Sequence, residues 1–251
     1  MTLATKHLNN STFMMWLNTE KITDSAISSY RQRLLKNCPS YIVIDHLFNE
    51  SKLEEVMKIL QQAHHWQTQK HTYSALYVDD AQWNNTTLDQ RFVQRDVWQN
   101  TFDTSTPNAT DKTSNNPAHA LLSFLRGNEF MSLLSRIFNT PLTDINVAEP
   151  KKNTNYFRLN AADFVEQHAD DSPGREVCML LYLNQNWDAN NGGALCFSGK
   201  KEGKPIHILP LYNRCVLFDP SSTGSEHWVE KLHTENAEQY RYNITSWYWS
   251  E

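Results

Sequence analysis

The chain has 251 residues and a formal net charge of −5, with 23 basic residues, 28 acidic residues and 10 histidines. This length suits one large domain and is ample for burying an apolar core. A domain that tracks phosphates is normally basic, so the acidic balance predicts no nucleic-acid partner. No apolar stretch approaches the length of a membrane span, so we also expect no membrane partner.

The four cysteines, Cys38, Cys178, Cys196 and Cys215, show no paired C-x-x-C spacing. Three of them lie inside apolar runs, where cysteine behaves as a small buried hydrophobic residue. Residues 1–18 have no basic flank followed by a long apolar region and a cleavage site, which a signal peptide would need. We therefore expect reduced thiols and a cytoplasmic protein. The sequence leaves the oligomeric state open.

The first 60 residues predict two helices separated by a strand. Residues 24–35 have apolar positions at helical spacing, and Pro39 ends the pattern. Residues 41–44 form a β-branched run typical of a strand, and an amphipathic segment begins after Asn49. We interpret residues 1–40 as an N-terminal helical extension and residues 41–251 as one domain.

The middle of the chain predicts a loop and then more helix. Residues 101–117 are almost entirely polar, which indicates a long loop that could border a substrate cleft. Residues 118–138 return to helical periodicity and predict two helices divided near Gly127. Helices are thus expected to fill the first half, with residues 41–150 supporting the rest of the domain.

After Pro150 the sequence changes to short runs of β-forming residues separated by turn clusters. Eight such runs in about a hundred residues favour a jelly-roll core over residues 151–251. The predicted fold is mainly β, α+β overall: a double-stranded β-helix with the helices of the N-terminal half packed on it. The candidate strands are residues 155–159, 164–167, 177–183, 194–197, 207–208, 214–218, 228–232 and 241–249.

A His-x-Asp pair, His168 and Asp170, and a more distant His227 form a candidate metal site. Alternation along a strand would direct His168 and Asp170 to the same face. Two imidazoles and one carboxylate on one side of an ion leave three positions open, as in non-haem Fe(II) oxygenases. Catalytic zinc uses the same ligands, so the ligands alone do not decide between the metals. His233 ranks second to His227 as the distal ligand.

Arg241 follows the distal histidine and lies in the last predicted strand. Alternation would direct Arg241, Asn243, Thr245 and Trp247 to one face, inside the barrel. A buried arginine needs a carboxylate partner, and its guanidinium group matches a carboxylate bidentately. A bound dicarboxylate would supply that partner.

The chain resembles the prolyl 4-hydroxylase-like branch of the 2-oxoglutarate/Fe(II) oxygenases over roughly residues 150–249, with a fainter match at 41–66. The resemblance is an ordered series of six blocks rather than a single motif. The blocks are residues 159–170, 181–187, 192–195, 210–218, 227–229 and 241–247.

This resemblance implies that His168, Asp170 and His227 hold iron and that Arg241 binds the distal carboxylate of 2-oxoglutarate. It also implies that the hydroxyl of Tyr182 contacts that carboxylate, with help from Thr245. Leu159 stands where many relatives have a tyrosine. We expect Tyr156 to take over that contact. The pair Gly192 and Gly193 is interpreted as a plain turn, and the spacing from His227 to Arg241 predicts a long hairpin around residues 233–239.

The implied activity is hydroxylation of an unactivated C–H bond with Fe(II), O2 and 2-oxoglutarate, which is decarboxylated to succinate. Ascorbate is a candidate reductant. By resemblance the substrate is a peptide or protein residue, with proline as the first candidate. The alternative is a small-molecule hydroxylase acting on a free or carrier-bound amino acid. Two other classes remain: a non-catalytic jelly-roll binding module and a zinc- or manganese-dependent enzyme of cupin type.

Overall fold

The computed structural model describes residues 15–99, 116–145, 147, 153–200, 203–233 and 239–250. The predicted loop at 101–117 therefore lies outside the described residues, apart from Asn116 and Pro117. The helices are α1 (Asp24–Lys36), α2 (Glu50–Leu60), α3 (Asp80–Asn85), α4 (Pro117–Leu125) and α5 (Asn128–Phe138). The strands are β1 (Tyr41–Asp45), β2 (Trp66–Thr72), β3 (Arg91–Trp98), β4 (Thr154–Leu159), β5 (Phe164–Val165), β6 (Arg175–Tyr182), β7 (Leu195–Phe197), β8 (Ile206–Ile208), β9 (Arg214–Phe218), β10 (His227–Val229) and β11 (Arg241–Trp249).

Side-chain caps start the helices where the sequence predicts them. Thr23 accepts a hydrogen bond from the Ala26 N–H at the start of α1, and Asn49 accepts one from the Ser51 N–H before α2. Gly127 separates α4 from α5, which confirms the predicted division of that segment. None of the helices in the described part of the chain is long and apolar enough to cross a membrane.

Two antiparallel sheets form the body of the molecule. In the described residues the major sheet has the strand order β1-β9-β6-β11-β4-β3-β2, with β5 paired to β3. The minor sheet has the order β10-β7-β8. The runs predicted over 214–218 and 241–249 coincide with β9 and β11. The mainly β, jelly-roll prediction is confirmed.

The major sheet separates two apolar layers, because successive side chains of a strand point to opposite faces. In β6, alternate residues pack against the helices, and the residues between them pack against the minor sheet. Helix α1 contributes Ile27, Tyr30 and Leu34 to the layer on the helical side. The division of the chain at residue 40 stays a prediction. The β6 residues on the helical side are Val177, Met179 and Leu181, and those facing the minor sheet are Cys178, Leu180 and Tyr182.

The prediction that helices fill the first half is wrong for the segment 66–98. Strands β2 and β3 pair there as an antiparallel hairpin, and β3 joins the major sheet through β4 and β5. Both strands are rich in polar residues, because one face of the hairpin borders a cavity rather than an apolar core. The alternation of apolar and polar residues that marks a half-buried strand is therefore missing.

His71 on β2 is a buried polar residue of this hairpin, with 5% of its surface exposed. Its Nδ1 accepts a hydrogen bond from the Tyr77 N–H at 3.3 Å, and its ring packs against Tyr77 and Phe92. Burial, with the nearby charges of Arg95 and His168, lowers the pKa of His71 to about 4. The imidazole is therefore neutral at pH 7.

We expect Leu181→Ala to lower the free energy of unfolding by about 2 to 5 kcal/mol, because it opens a cavity in the middle of the major sheet. Leu88→Ala is the control, since Leu88 is 79% exposed, and should change stability by less than about 0.5 kcal/mol. Urea unfolding followed by circular dichroism measures both. Equal effects of the two substitutions would contradict the layer assignment.

His71 should also make the protein less stable in acid. Its pKa in the folded state is below the unfolded value near 6.5, so the unfolded state binds more protons between these values. Stability is then complete above about pH 6.5 and falls as the pH drops toward about 4. Between about pH 8 and pH 5, His71 should account for roughly 2 kcal/mol of the decrease in the free energy of unfolding. The His71→Phe variant should lack this part of the decrease. Urea unfolding at both pH values measures it, and an unchanged loss would contradict the assignment.

Candidate functional site

Three potential metal ligands converge where the two sheets meet. One side-chain ligand atom from each of His168, Asp170 and His227 lies within 4.8 Å of the other two. His227 begins β10, whereas His168 and Asp170 lie in the connection between β5 and β6. His233 is exposed and is not part of this cluster. The structure thus brings together the three residues that the sequence pairs as candidate ligands.

A backbone bridge, rather than a strand, positions the two histidines. The His168 N–H donates to the His227 carbonyl at 3.0 Å, and the His227 N–H donates to the His168 carbonyl at 2.9 Å. Their ring centroids are 4.3 Å apart. Asp170 lies in irregular backbone. The expectation that strand alternation orients His168 and Asp170 is therefore wrong, because this connection leaves regular pairing after a single bridge.

Each histidine is held in one tautomer by a backbone carbonyl. Nδ1 of His168 donates to Glu166 O, and Nδ1 of His227 donates to Ser225 O, both at 2.9 Å. The Nε2 atoms are thereby left as acceptors for a metal ion. Burial and the nearby His168 lower the pKa of His227 to about 4, so this imidazole is neutral and able to coordinate.

Asp170 is ionised despite its enclosed position. Burial opposes its charge, but His227, His168, Arg175 and the Trp247 indole together hold the pKa of Asp170 below its usual value. The Trp247 Nε1–H donates to Oδ2 at 2.7 Å, and Arg175 Nη1 lies 3.2 Å from Oδ1. These contacts fix the carboxylate beside the two imidazoles.

Arg241 is fully enclosed, with 1% of its surface exposed. Its Nε donates to Gly193 O at 2.7 Å, Nη1 to Asn243 Oδ1 at 2.9 Å, and Nη2 to the Tyr182 hydroxyl at 3.4 Å. All of these acceptors are neutral, and no carboxylate of the described residues forms an ion pair with Arg241. Burial lowers the pKa of Arg241 because no anion compensates its charge. An anionic ligand would complete this site.

The alternation predicted for the last strand is present. Asn243 Nδ2 donates to Thr245 Oγ1 at 2.9 Å, so Arg241, Asn243 and Thr245 form a continuous row. Trp247 follows on the same face, and its indole N–H donates to Asp170. Tyr182, on the neighbouring strand β6, is fully buried, and burial raises the pKa of its hydroxyl to about 12. It is therefore a neutral donor.

Gly193 does more than form the plain turn that the sequence suggests. Its φ is +74°, and a Cβ at this position would lie 3.2 Å from Arg241 Cδ and 3.0 Å from Trp187 Cζ2. A side chain here would push against the arginine, and the Gly193 carbonyl is one of its acceptors. The Gly-Gly pair was the sequence signal for a close contact at this position. Only the fold shows that the contacting residue is Arg241.

Tyr156 does not reach the site, which corrects the sequence prediction. It pairs with Ile244, which belongs to the helical side of the major sheet. Its hydroxyl donates to Ala118 O at the start of α4 at 2.8 Å. The strand register turns this side chain away from Arg241, so no contact with a shared ligand is available.

Two cavities meet at the candidate ligands. An inner one of about 40 Å³ is lined by the three ligands together with Arg241, Asn243 and Thr245. An outer one of about 730 Å³ is lined by residues of the β2–β3 hairpin, of β4 and of the connection between β5 and β6. Arg95, which the sequence analysis missed, lines both cavities. Its strand was not recognised, so nothing in the sequence placed it near the metal site.

The C-terminal part of the chain is similar to known proteins. Residues 153–249 match the model of the 2OG-Fe(II) oxygenase superfamily. Prolyl 3-hydroxylase OGFOD1 of Mus musculus is 27% identical over 143 residues, which cover 55% of this chain and 25% of that protein. The chain thus spans about a quarter of the length of this curated relative.

Solved structures share the fold at low sequence identity. A prolyl-4-hydroxylase of Pseudomonas putida aligns with a TM-score of 0.56 and 13% identity, covering 90% of this chain and 99% of its own. A prolyl hydroxylase of Trichoplax adhaerens, solved with a hypoxia inducible factor peptide fragment, aligns with a TM-score of 0.60 and 19% identity, covering 96% and 94%. Residues 153–249 are therefore similar to the 2OG-Fe(II) oxygenase superfamily, and the fold is shared with solved prolyl hydroxylases.

Proposed function

We propose that the protein is an Fe(II)- and 2-oxoglutarate-dependent dioxygenase that hydroxylates a residue of a peptide or protein, with proline as the first candidate. The observation that carries this proposal is the buried Arg241 guanidinium with only neutral partners, close to a His/Asp/His cluster. A metal-binding module without a co-substrate would have no need for an uncompensated buried cation. The similarity to a prolyl 3-hydroxylase supports the substrate class.

The candidate residues fit these groups chemically. His168, Asp170 and His227 would hold Fe(II), since two imidazoles and a carboxylate suit that ion. Arg241 and Tyr182 would bind the distal carboxylate of 2-oxoglutarate, with Thr245 completing the row. The inner cavity has room for roughly three water molecules. A dicarboxylate is larger, so its entry requires the lining side chains to move apart.

The bound iron, 2-oxoglutarate and O2 supply the oxidative decarboxylation that yields succinate, carbon dioxide and a hydroxylated product. The chain contributes position and a shielded site. Trp247 and Arg175 keep Asp170 ionised and oriented, and the carbonyls behind both histidines keep their Nε2 atoms directed toward the ion. Leu180 and Leu195, which line the inner cavity, exclude water from it.

A small-molecule hydroxylase is the second candidate. The outer cavity of about 730 Å³ is within the range of sites that enclose metabolites. Succinate formation measured over a panel of free amino acids and proline-containing peptides distinguishes the two candidates. Stimulation by peptides alone supports the first. Stimulation by a free amino acid alone would favour the second.

We also propose that ascorbate serves as the reductant of the iron and that the protein is cytoplasmic. The four cysteines are free thiols, which suits a reducing compartment. If ascorbate keeps the iron reduced, its omission should shorten the period of linear succinate formation. Cell fractionation tests the location, and recovery outside the cytoplasmic fraction would contradict it.

We expect His168→Ala, Asp170→Ala and His227→Ala each to abolish tight metal binding while the fold persists, because each removes one of three protein bonds to the ion. His233→Ala is the matched control and should bind as the wild type does. Titration of Mn(II) followed by electron paramagnetic resonance measures binding without turnover. Loss of binding in the His233 variant together with retention in the His227 variant would reverse the ligand assignment.

Arg241→Ala should weaken 2-oxoglutarate binding by roughly 2 to 5 kcal/mol and leave metal affinity nearly unchanged, since a charge-assisted bidentate contact is lost. Arg241→Lys should recover only part, because an ammonium group lacks the planar fork. Tyr182→Phe should cost about 0.5 to 1.5 kcal/mol. Tyr212→Phe is its control, since that hydroxyl contacts Glu50 O.

These affinities are measured by titrating 2-oxoglutarate into the Fe(II) protein under nitrogen and following the metal-to-ligand charge-transfer absorbance. Absence of this band in the wild type would refute the co-substrate assignment. So would an Arg241→Ala variant that binds 2-oxoglutarate as tightly as the wild type does.

A further inference from the structure

The outer cavity combines an aromatic wall with an unbalanced positive charge. Tyr73, Tyr77, Phe92, Phe157 and Trp247 supply the aromatic surface. Asp170 is the only carboxylate among the residues that line this cavity in the described part of the chain, and it is committed to the candidate metal site. In a chain with a net charge of −5, a cavity without a free carboxylate indicates a preference for anions.

Among the described residues, Arg95 is the arginine of this cavity that forms no ion pair, although the charge of Asp170 is near enough to act on its pKa. The other lining arginine, Arg175, already pairs with Asp170. The guanidinium carbon of Arg95 lies over the Phe157 ring, 3.6 Å from its centroid, and Nε and Nη2 share a single neutral acceptor, Gln69 Oε1, at 3.3 and 3.2 Å. Burial lowers the pKa of Arg95 to about 10, so it remains cationic at neutral pH. A guanidinium group held over an aromatic ring, with N–H donors for which the described residues offer no acceptor, is suited to bidentate binding of a carboxylate.

His71 supplies a second unused donor in the same wall. Its Nδ1 is the acceptor for the Tyr77 N–H, so the proton resides on Nε2. This Nε2 is buried and has no hydrogen-bond partner among the described residues. A buried donor without a partner is destabilising, and His71 lies close enough to Arg95 for that charge to lower its pKa. One anionic group between the two residues would satisfy both.

We propose that Arg95, with His71 beside it, binds a carboxylate of the substrate, so that the enzyme selects substrates with an acidic group close to the reacting carbon. This inference rests on the proposed function. Arg95 lines the inner cavity together with the candidate metal ligands, which places the bound carboxylate near the reaction site. It is separate from Arg241, which is assigned to the co-substrate. The carboxylate could be an acidic side chain next to the hydroxylated residue or the free carboxylate of an amino acid.

The test compares matched acid and amide probes by calorimetry under nitrogen, where no turnover occurs. The probes are a proline peptide with a neighbouring Glu, the same peptide with Gln, free L-proline and L-prolinamide. Each is titrated into the Fe(II) and 2-oxoglutarate protein and, in parallel, into the metal-free protein. We expect the acid of at least one pair to bind about tenfold or more tightly than its amide. The peptide pair and the proline pair distinguish the two sources of the carboxylate.

Arg95→Gln should remove this preference, so that acid and amide bind with equal affinity. Arg95→Lys, which keeps the charge and makes less demand on folding, should retain an intermediate preference. Lys70→Gln is the matched control. Lys70 is on the same hairpin and pairs with Asp80 outside the cavity, so this variant should keep the full preference.

Equal binding of acid and amide by the wild type would overturn the proposal, as would a preference that persists in Arg95→Gln. It would also be overturned if Arg95→Gln weakened 2-oxoglutarate binding and left the acid preference intact, since Arg95 would then belong to the co-substrate site. The charge-transfer band of bound 2-oxoglutarate distinguishes failure of the co-substrate assignment from failure of the Arg95 proposal. Without the band the co-substrate assignment fails, while the metal-free titrations still test Arg95. With the band but no acid preference, only the Arg95 proposal fails.

Discussion

Two backbone hydrogen bonds between His168 and His227 are the constraint on which the rest of the site depends. They join the connection after β5 to the first residue of β10, and so link the major sheet to the minor sheet. Because the pairing is antiparallel, the two imidazoles lie side by side. Asp170 follows two residues later and is drawn to the same point by Trp247, the last member of the row on β11. The candidate metal centre therefore forms only where the two sheets are joined.

Charge in the interior follows a consistent pattern. Asp170 has Arg175, an indole N–H and two imidazoles around it, whereas Arg241 and Arg95 have only neutral acceptors. Enclosing a cation without an anion costs free energy, and that cost is reduced when an anionic ligand arrives. We propose that these two guanidinium groups bind two different anions. One is assigned to the co-substrate and the other to the substrate.

The sequence predicted those parts of the fold in which one face of a strand is apolar. Strands β9 and β11 follow their predicted bounds, and alternation along β11 correctly brought Arg241, Asn243 and Thr245 onto one face. The hairpin β2–β3 was missed because its inner face borders a cavity and is polar, so it lacks an apolar period. Arg95 lies on β3 and was therefore not predicted as a residue of the site.

The other prediction errors arose because the register between distant strands cannot be read from the sequence. Sequence alternation gave no way to know that pairing ends after His168, or that Tyr156 falls opposite Ile244 on the helical side of the sheet. The role of Gly193 depends on the approach of Arg241 from a strand almost fifty residues away. Residue types and their order were sufficient to identify the candidate ligands, whereas contacts set by pairing between distant strands were not.

The strand order also bears on where the smallest independently folding unit ends. The superfamily match begins at residue 153, yet the edge strand β1 and the hairpin β2–β3 come from residues far upstream of it. Helices α1, α2, α4 and α5 cover the same face of the sheet, where Leu181, Ile244 and Tyr248 are fully buried. A polypeptide trimmed to the matched residues would expose that apolar face and two unpaired strand edges, which are features that promote aggregation. The matched segment is therefore shorter than the folded unit, and we expect expression of the candidate metal centre to require the N-terminal half of the chain.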